Sequence, residues 1–313
     1  MYNLGMRLRM RNMEFALTRR EKPPEPANQP GYDELIQQIA RIQISTADKH
    51  SLSQEVSVES LANKQDVVNA RHKLEACGVI SIKDFFPVEE ARALAKMAFT
   101  LVDQECDALR NGMNLSRPDY EIISEAEGNY YDLAENAKPV VYQRLGKDNG
   151  MIDIFNFDRL SGSKGVELKS ALALPLLQEL FSKTGKRWRP RNLNVYVNRS
   201  VTATRGFHVD SYGGRQVKAF IYLTDVLDET QGPYTYVVGS HLDSAFRQAS
   251  ISMTHMGQPF ESTDTPIVNQ RSILPFLAPA GTLIVSDQSG AHRGLPQQVG
   301  ASRVIAVLNF TDF

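Results

Sequence analysis

Cysteine is scarce in this chain: two residues in 313, Cys77 and Cys106, with no CxxC spacing. A disulfide framework and a cysteine-based zinc site are therefore set aside, and the low count fits a reducing compartment. No run approaches the roughly 18 consecutive apolar residues that a membrane helix needs. Neither sign of charge is in excess: 35 Lys plus Arg against 36 Asp plus Glu give a formal net charge of −1. That balance asks for neither nucleic acid nor a membrane as partner. The first 22 residues carry arginines at 7, 9, 11, 19 and 20 but no continuous apolar stretch, so they do not read as a secretory signal. The expectation is a cytoplasmic protein.

What is present suits one large domain behind an extension, with 42% hydrophobic and 8% aromatic residues. Residues 1–65 read as an N-terminal extension, partly disordered. It holds a linker over 20–31 with four prolines and a short amphipathic helix from Tyr32 to Ile44. The globular part is expected over 66–313. A helix from Val67 to Ala76 stops at Gly78, a strand VISI follows at 79–82, and Pro87 opens a second helix. A further helix is expected over 171–183. From about residue 190 short β-rich segments take over: LNVYVN at 193–198, KAFIYLTDV at 218–226, YTYVVG at 234–239, GTLIVSD at 281–287 and SRVIAVLNF at 302–310. Helices first and strands after give an α+β order, with an antiparallel sandwich or barrel.

Within that half, GFHVDSYGG holds His208-x-Asp210. Side chains two apart on an extended chain point to one side, so an imidazole and a carboxylate can reach one ion together. A lone HxD is a weak signal, and a third ligand must come from elsewhere. His50 and His72 precede the β-rich half; His241 and His255 suit loop or solvent roles. His292, in SDQSGAHRG between two predicted strands, is the chosen third ligand. Two imidazoles and a carboxylate on one face suit Fe(II) with three positions open; a zinc hydrolase would accept the same set but needs an added base.

Arg303 opens the last predicted strand, eleven residues after His292. A lone Arg in an apolar strand is costly unless paired, and its planar fork matches a carboxylate. It reads as the anchor for the far carboxylate of a metal-chelating dicarboxylate, with an edge salt bridge as the plain alternative. In LNVYVN, Leu193, Val195 and Val197 form one face, and Asn194, Tyr196 and Asn198 the other. Asn194 and Tyr196 thus become candidates for ligand contact, unless that face is simply solvated. Arg293 is expected to point away from the metal.

His208-x-Asp210, the segment GPYTYVVGSH at 232–241, and His292-Arg293-Gly294 with Arg303 resemble the phytanoyl-CoA dioxygenase (PhyH-like) family of Fe(II)/2-oxoglutarate-dependent oxygenases, as does GVISIKDFFPVEEARALAKMA at 78–98. The resemblance covers roughly 66–313. It implies a double-stranded β-helix (jelly-roll, cupin-like) with flanking helices. It further implies Fe(II) on His208, Asp210 and His292, 2-oxoglutarate on Arg303, O2 as oxidant, and hydroxylation of a small-molecule substrate as the default reaction. One departure concerns the position two after the distal His, where many members carry Ser or Thr and this chain has Gly294. The helper is then absent or comes from another strand, such as Thr282. Asp210 stands where halogenating relatives carry a small residue. Arg205, Tyr212 and Lys218 are further candidates for substrate contact. The stretch 242–281 is too long for a turn and is expected to help cover substrate, with Phe246, Met253, Met256 and Phe260 as possible liners. A cupin-like metalloenzyme without 2-oxoglutarate and a non-catalytic jelly-roll binding module remain alternatives.

Overall fold

In the computed structural model, the described residues are 49–123, 136, 138–144, 148, 150–160, 164–173, 179–180, 188–212, 216–255 and 260–312. The linker, the helix expected at Tyr32–Ile44 and most of that expected at 171–183 lie outside them. In chain order the elements are α1 (Lys49–Val56), β1 (Ser57–Val58), α2 (Lys64–Cys77), β2 (Val79–Ile82), α3 (Val88–Gln104) and α4 (Cys106–Arg110). Four short strands follow: β3 (Leu115–Ser116), β4 (Glu121–Ile123), β5 (Val140–Gln143) and β6 (Ile152–Phe155). Then come α5 (Gly165–Leu172), β7 (Trp188–Arg199), β8 (Gln216–Tyr222), β9 (Tyr234–Val237) and α6 (Ala245–His255). The chain closes with β10 (Ile273–Pro275), β11 (Leu283–Asp287), β12 (His292–Gly294) and β13 (Ser302–Asp312).

Local chemistry sets the helix ends. Asn63 caps α2, its side chain accepting from the Asp66 N–H, and Gly78 ends it at φ 77, donating its own N–H to the Leu74 carbonyl. No other residue fits there, because a Cβ on Gly78 would sit 2.4 Å from the Tyr236 hydroxyl. Pro87 precedes α3, and Glu89 and Glu90 in its first turn complement the helix dipole. One face of α3, including Leu94, Ala98 and Leu101, is buried.

Ten strands form one sheet in the order β1-β2-β11-β8-β13-β7-β6-β5-β4-β3; a second holds β10-β9-β12. Period-two alternation gives the large sheet two apolar faces. Leu193, Val195, Ala219, Ile221, Val285 and Ala306 share a core with α2 and α3. On the inner face Phe220, Tyr222, Ile284, Ile305 and Val307 pack with Tyr234, Tyr236, Leu274 and Phe276, most of them from the small sheet. Two facing sheets with helices on the outer side make a double-stranded β-helix of the jelly-roll, cupin-like kind.

The fold begins earlier than Asp66. Leu52 and Val56 of α1 are buried in the inner core, and β1 pairs with β2 in the large sheet. The 242–281 stretch is likewise no plain loop: it contains α6, a 3-10 turn at Gln270–Ser272 and β10. No helix of the described residues is long and apolar enough to cross a membrane.

At the junction of α3 and α4 the buried Glu105 accepts from Arg117 Nε and Nη2 at 2.9 and 2.8 Å and from the Tyr120 hydroxyl at 2.6 Å. Hydrogen bonds from Arg117, against the cost of burial and with help from Tyr120, hold its carboxyl below the ordinary value. A depressed carboxyl contributes stability that is full above its ordinary range and lost as pH falls through the lower, folded value. Glu105→Gln is expected to lower Tm by about 2–4 °C at pH 7, with the gap to wild type closing in acid. Thermal melts from pH 7 to pH 3 check this; parallel melts at every pH would remove the assignment.

Candidate metal centre

His208 and His292 meet through the backbone. Each N–H donates to the other's carbonyl, at 3.1 and 2.9 Å, making a hydrogen-bonded antiparallel pair between β12 and a residue outside the strands. Residues opposed in this way put their side chains on one face. The two rings lie 4.6 Å apart between centroids. Asp210, two residues on, shares that face; its N–H is held by the Gln288 carbonyl at 3.0 Å. Ligand atoms of His208, Asp210 and His292 lie within 4.8 Å of one another, a grouping that suits a metal ion.

The imidazoles are oriented alike. Nδ1 of His208 lies 2.9 Å from the Gly206 carbonyl and Nδ1 of His292 lies 2.9 Å from the Gly290 carbonyl. As donors to those carbonyls, both rings keep Nε2 as a lone pair for a metal. Gly290 is required sterically, since a Cβ there would lie 1.8 Å from the Tyr236 hydroxyl. Burial, the facing His292 and Arg205 push the His208 imidazole down to about 3, so it stays neutral. Burial opposes the Asp210 charge, yet the Lys218 ammonium holds that carboxyl well below the usual range. These donors fit a divalent ion bound by two neutral imidazoles and one carboxylate.

The three open onto a cavity of about 860 Å³ between the sheets. Arg303 lines it, because its position on β13 shares parity with the inward Ile305 and Val307. It is 3% exposed, donates from Nη1 to the Gly232 carbonyl, and leaves Nε without a partner. Among the described residues no carboxylate forms a salt bridge with it. Gly294 borders it: a Cβ there would touch the guanidinium in ordinary contact, 3.4 Å from Nη2. Asn194 and Tyr196 line the same cavity, with the Arg144 guanidinium 5.2 Å over the Tyr196 ring.

Other expected contacts are placed differently. Thr282 is not in the cavity wall. By register it lies two strands across from Ile305 with Tyr222 between, a span of about 10 Å. Tyr212 lines a separate cavity of about 140 Å³ beneath α6, together with Phe246 and Arg247, so it does not reach the metal cavity. Lys218 lines the metal cavity with its ammonium on Asp210, Nζ to Oδ2 at 2.6 Å. Arg205 touches the cavity, but its guanidinium binds Asp264 at 2.7 Å and the Thr263 hydroxyl at 2.7 Å. That clasp ties the 242–281 segment to the HxD strand, where Val209 donates to Thr263 and Thr265 to Phe207. From that segment Glu261 reaches the cavity wall, whereas Met253 and Phe260 are absent from it and Met256 lies outside the described residues. Arg293 borders the cavity, with its guanidinium over the Phe207 ring and donating to the Thr204 hydroxyl at 3.0 Å.

A buried network was missed at the sequence level. The Tyr234 and Ser286 hydroxyls lie 2.7 Å apart, Gln288 Nε2 donates to Ser286 Oγ at 2.9 Å, and the Tyr234 ring lies 5.9 Å from that of His292. Its available signal was a polar residue at alternate positions, Ser286 and Gln288, after the apolar Ile284.

No family model matches the chain, and no curated protein is similar to it by sequence. Among solved structures it is similar to the non-heme alpha ketoglutarate dependent carbocyclase SnoK from nogalamycin biosynthesis, at 14% identity and TM-score 0.48 over 78% of this chain and 83% of that one. The non-heme alpha ketoglutarate dependent epimerase SnoN from the same biosynthesis gives 15% and 0.49, over 80% and 84%. AviO1 from Streptomyces viridochromogenes Tue57 gives 16% and 0.49, over 80% and 97%. At this level of identity and overlap the three likenesses assign no reaction to the chain.

Proposed function

We propose that the chain is a non-haem Fe(II)- and 2-oxoglutarate-dependent oxygenase, PhyH-like in its ligand pattern, that oxidises and by default hydroxylates a small-molecule substrate. The observation that carries this reading is the pairing of His208, Asp210 and His292 with a buried, carboxylate-free Arg303 in one cavity. A buried guanidinium without a counter-charge is costly, and a dicarboxylate whose far end meets it would relieve that cost.

Bound iron, with 2-oxoglutarate and O2, supplies oxidation of an unactivated C–H bond with release of succinate and CO2. The residues supply the rest. His208 and His292 present Nε2 because their Nδ1 atoms are committed to carbonyls. Arg303 fixes the far carboxylate, and Asn194 and Tyr196 line the space between the guanidinium and the ligands. The cavity volume falls within the range of small-molecule sites.

The reading is tested by anaerobic titration of the iron-free protein with Fe(II) and then 2-oxoglutarate. A visible charge-transfer band saturating with 2-oxoglutarate is the expected outcome. No band in folded, iron-loaded protein would overturn the oxygenase reading and favour a metalloenzyme without 2-oxoglutarate or a binding module.

A further inference from the structure

Lysine on the inner face of a central strand needs a reason. β8 lies between β11 and β13, registered to both along its length, so its backbone is fixed. Alternation places Lys218 inward with Phe220 and Tyr222, and its side chain is 20% exposed. Burying an ammonium there is unfavourable unless it is paired. Its partner is Oδ2 of Asp210 at 2.6 Å, while Oδ1 of the same carboxylate faces His292 Nε2 at 3.7 Å. The other charged or titratable groups near Lys218 are Tyr196 and Arg144, neither of which competes as a carboxylate.

The two oxygens of Asp210 thus have different neighbours, one toward the imidazoles and one on an ammonium. We propose that Lys218 is a positioning residue that restricts Asp210 to a single metal-facing oxygen. This rests on the metal assignment above. A site with two histidines and one carboxylate serves a chelating co-substrate and O2 only if three positions stay open. A carboxylate can bind an ion through both oxygens and close one of them. Turning Oδ2 toward the metal would break a short, charge-assisted bond in a partly buried place and bring the ammonium toward a dication. Lys218 therefore protects the open position by acting through Asp210, without touching the metal.

The test compares wild type with Lys218→Met, which keeps the apolar stem, and Lys218→Gln, which keeps an N–H donor without charge. Each is loaded anaerobically with Fe(II) and titrated with 2-oxoglutarate, and separately loaded with Co(II) to read coordination number from its visible absorption. Lys218→Met is expected to retain metal but to bind 2-oxoglutarate about tenfold or more weakly, the scale on which partners of metal ligands act. Its charge-transfer band shifts and its Co(II) spectrum changes; Lys218→Gln recovers part of each. Unchanged band, affinity and Co(II) spectrum in a folded variant would make the lysine a structural ion pair only. An unchanged spectrum with altered turnover of a later-identified substrate would make it a substrate contact, and either result overturns the proposal. Should Lys218→Met not fold, Lys218→Gln carries the comparison. Absence of a 2-oxoglutarate band in wild type would remove the oxygenase reading, while the Co(II) spectra would still decide the role of Lys218.

Discussion

Replacing Arg303 by methionine is expected to weaken 2-oxoglutarate binding by roughly 100- to 1,000-fold, the equivalent of about 3–4 kcal/mol for losing one partner of a buried charge pair. The same change is expected to leave the iron-free protein as stable as wild type or more so. Arg303 is 3% exposed, burial opposes its charge, and its Nε has no partner. Methionine fills similar length without that charge and gives up only the bond to the Gly232 carbonyl. Function and stability thus move in opposite directions, which few core substitutions do. Isothermal titration of the Fe(II)-loaded protein with 2-oxoglutarate, set beside thermal melts of the apo form, measures both. Equal affinity in the variant would show that the guanidinium serves the fold and that the co-substrate is misassigned.

The second large effect concerns a ligand. His208→Ala is expected to lower Fe(II) affinity by more than about 100-fold, since changes that merely touch a ligand's partner already cost 10–100-fold. The apo fold should survive, because the backbone pair with His292 does not involve the imidazole. Metal raises the Tm of wild type by binding the native state, and that rise should vanish in the variant. A variant still stabilised by Fe(II) to the same extent would remove His208 from the ligand set.

How far the sequence could be read depended on whether a feature is local. His208-x-Asp210, the inward parity of Arg303 and the two faces of LNVYVN all follow from period-two alternation within one segment. The partner of Lys218 does not, because it requires knowing that β8 passes beside residues 208–210 in space. Thr282 shows the same limit from the other side: its parity is inward, but Tyr222 stands between it and Ile305. Tyr212 follows the HxD pair closely in sequence yet faces the smaller cavity, where Arg247 stacks 4.8 Å over its ring. β3 to β6 have two to four residues each, too few to show a period. α6 was hidden by its composition, AFRQASISMTH, whose Ser, Ile and Thr have modest helix propensity. α1 lies ahead of Asp66 and buries two side chains, Leu52 and Val56, too few to show a helical period.

The way His208 is held has a thermodynamic consequence. Its backbone is joined to His292 on one side and to the segment around Asp264 on the other by isolated bridges, not by a continuous ladder. Held by bridges and single hydrogen bonds instead of a continuous ladder, this strip is expected to open locally at a lower free energy than the central strands β8 and β13. An ion bound to side chains on both sides of that seam adds its binding free energy to every opening that would separate them. Loading the site would thus act as a clasp that couples the HxD segment to the core strands.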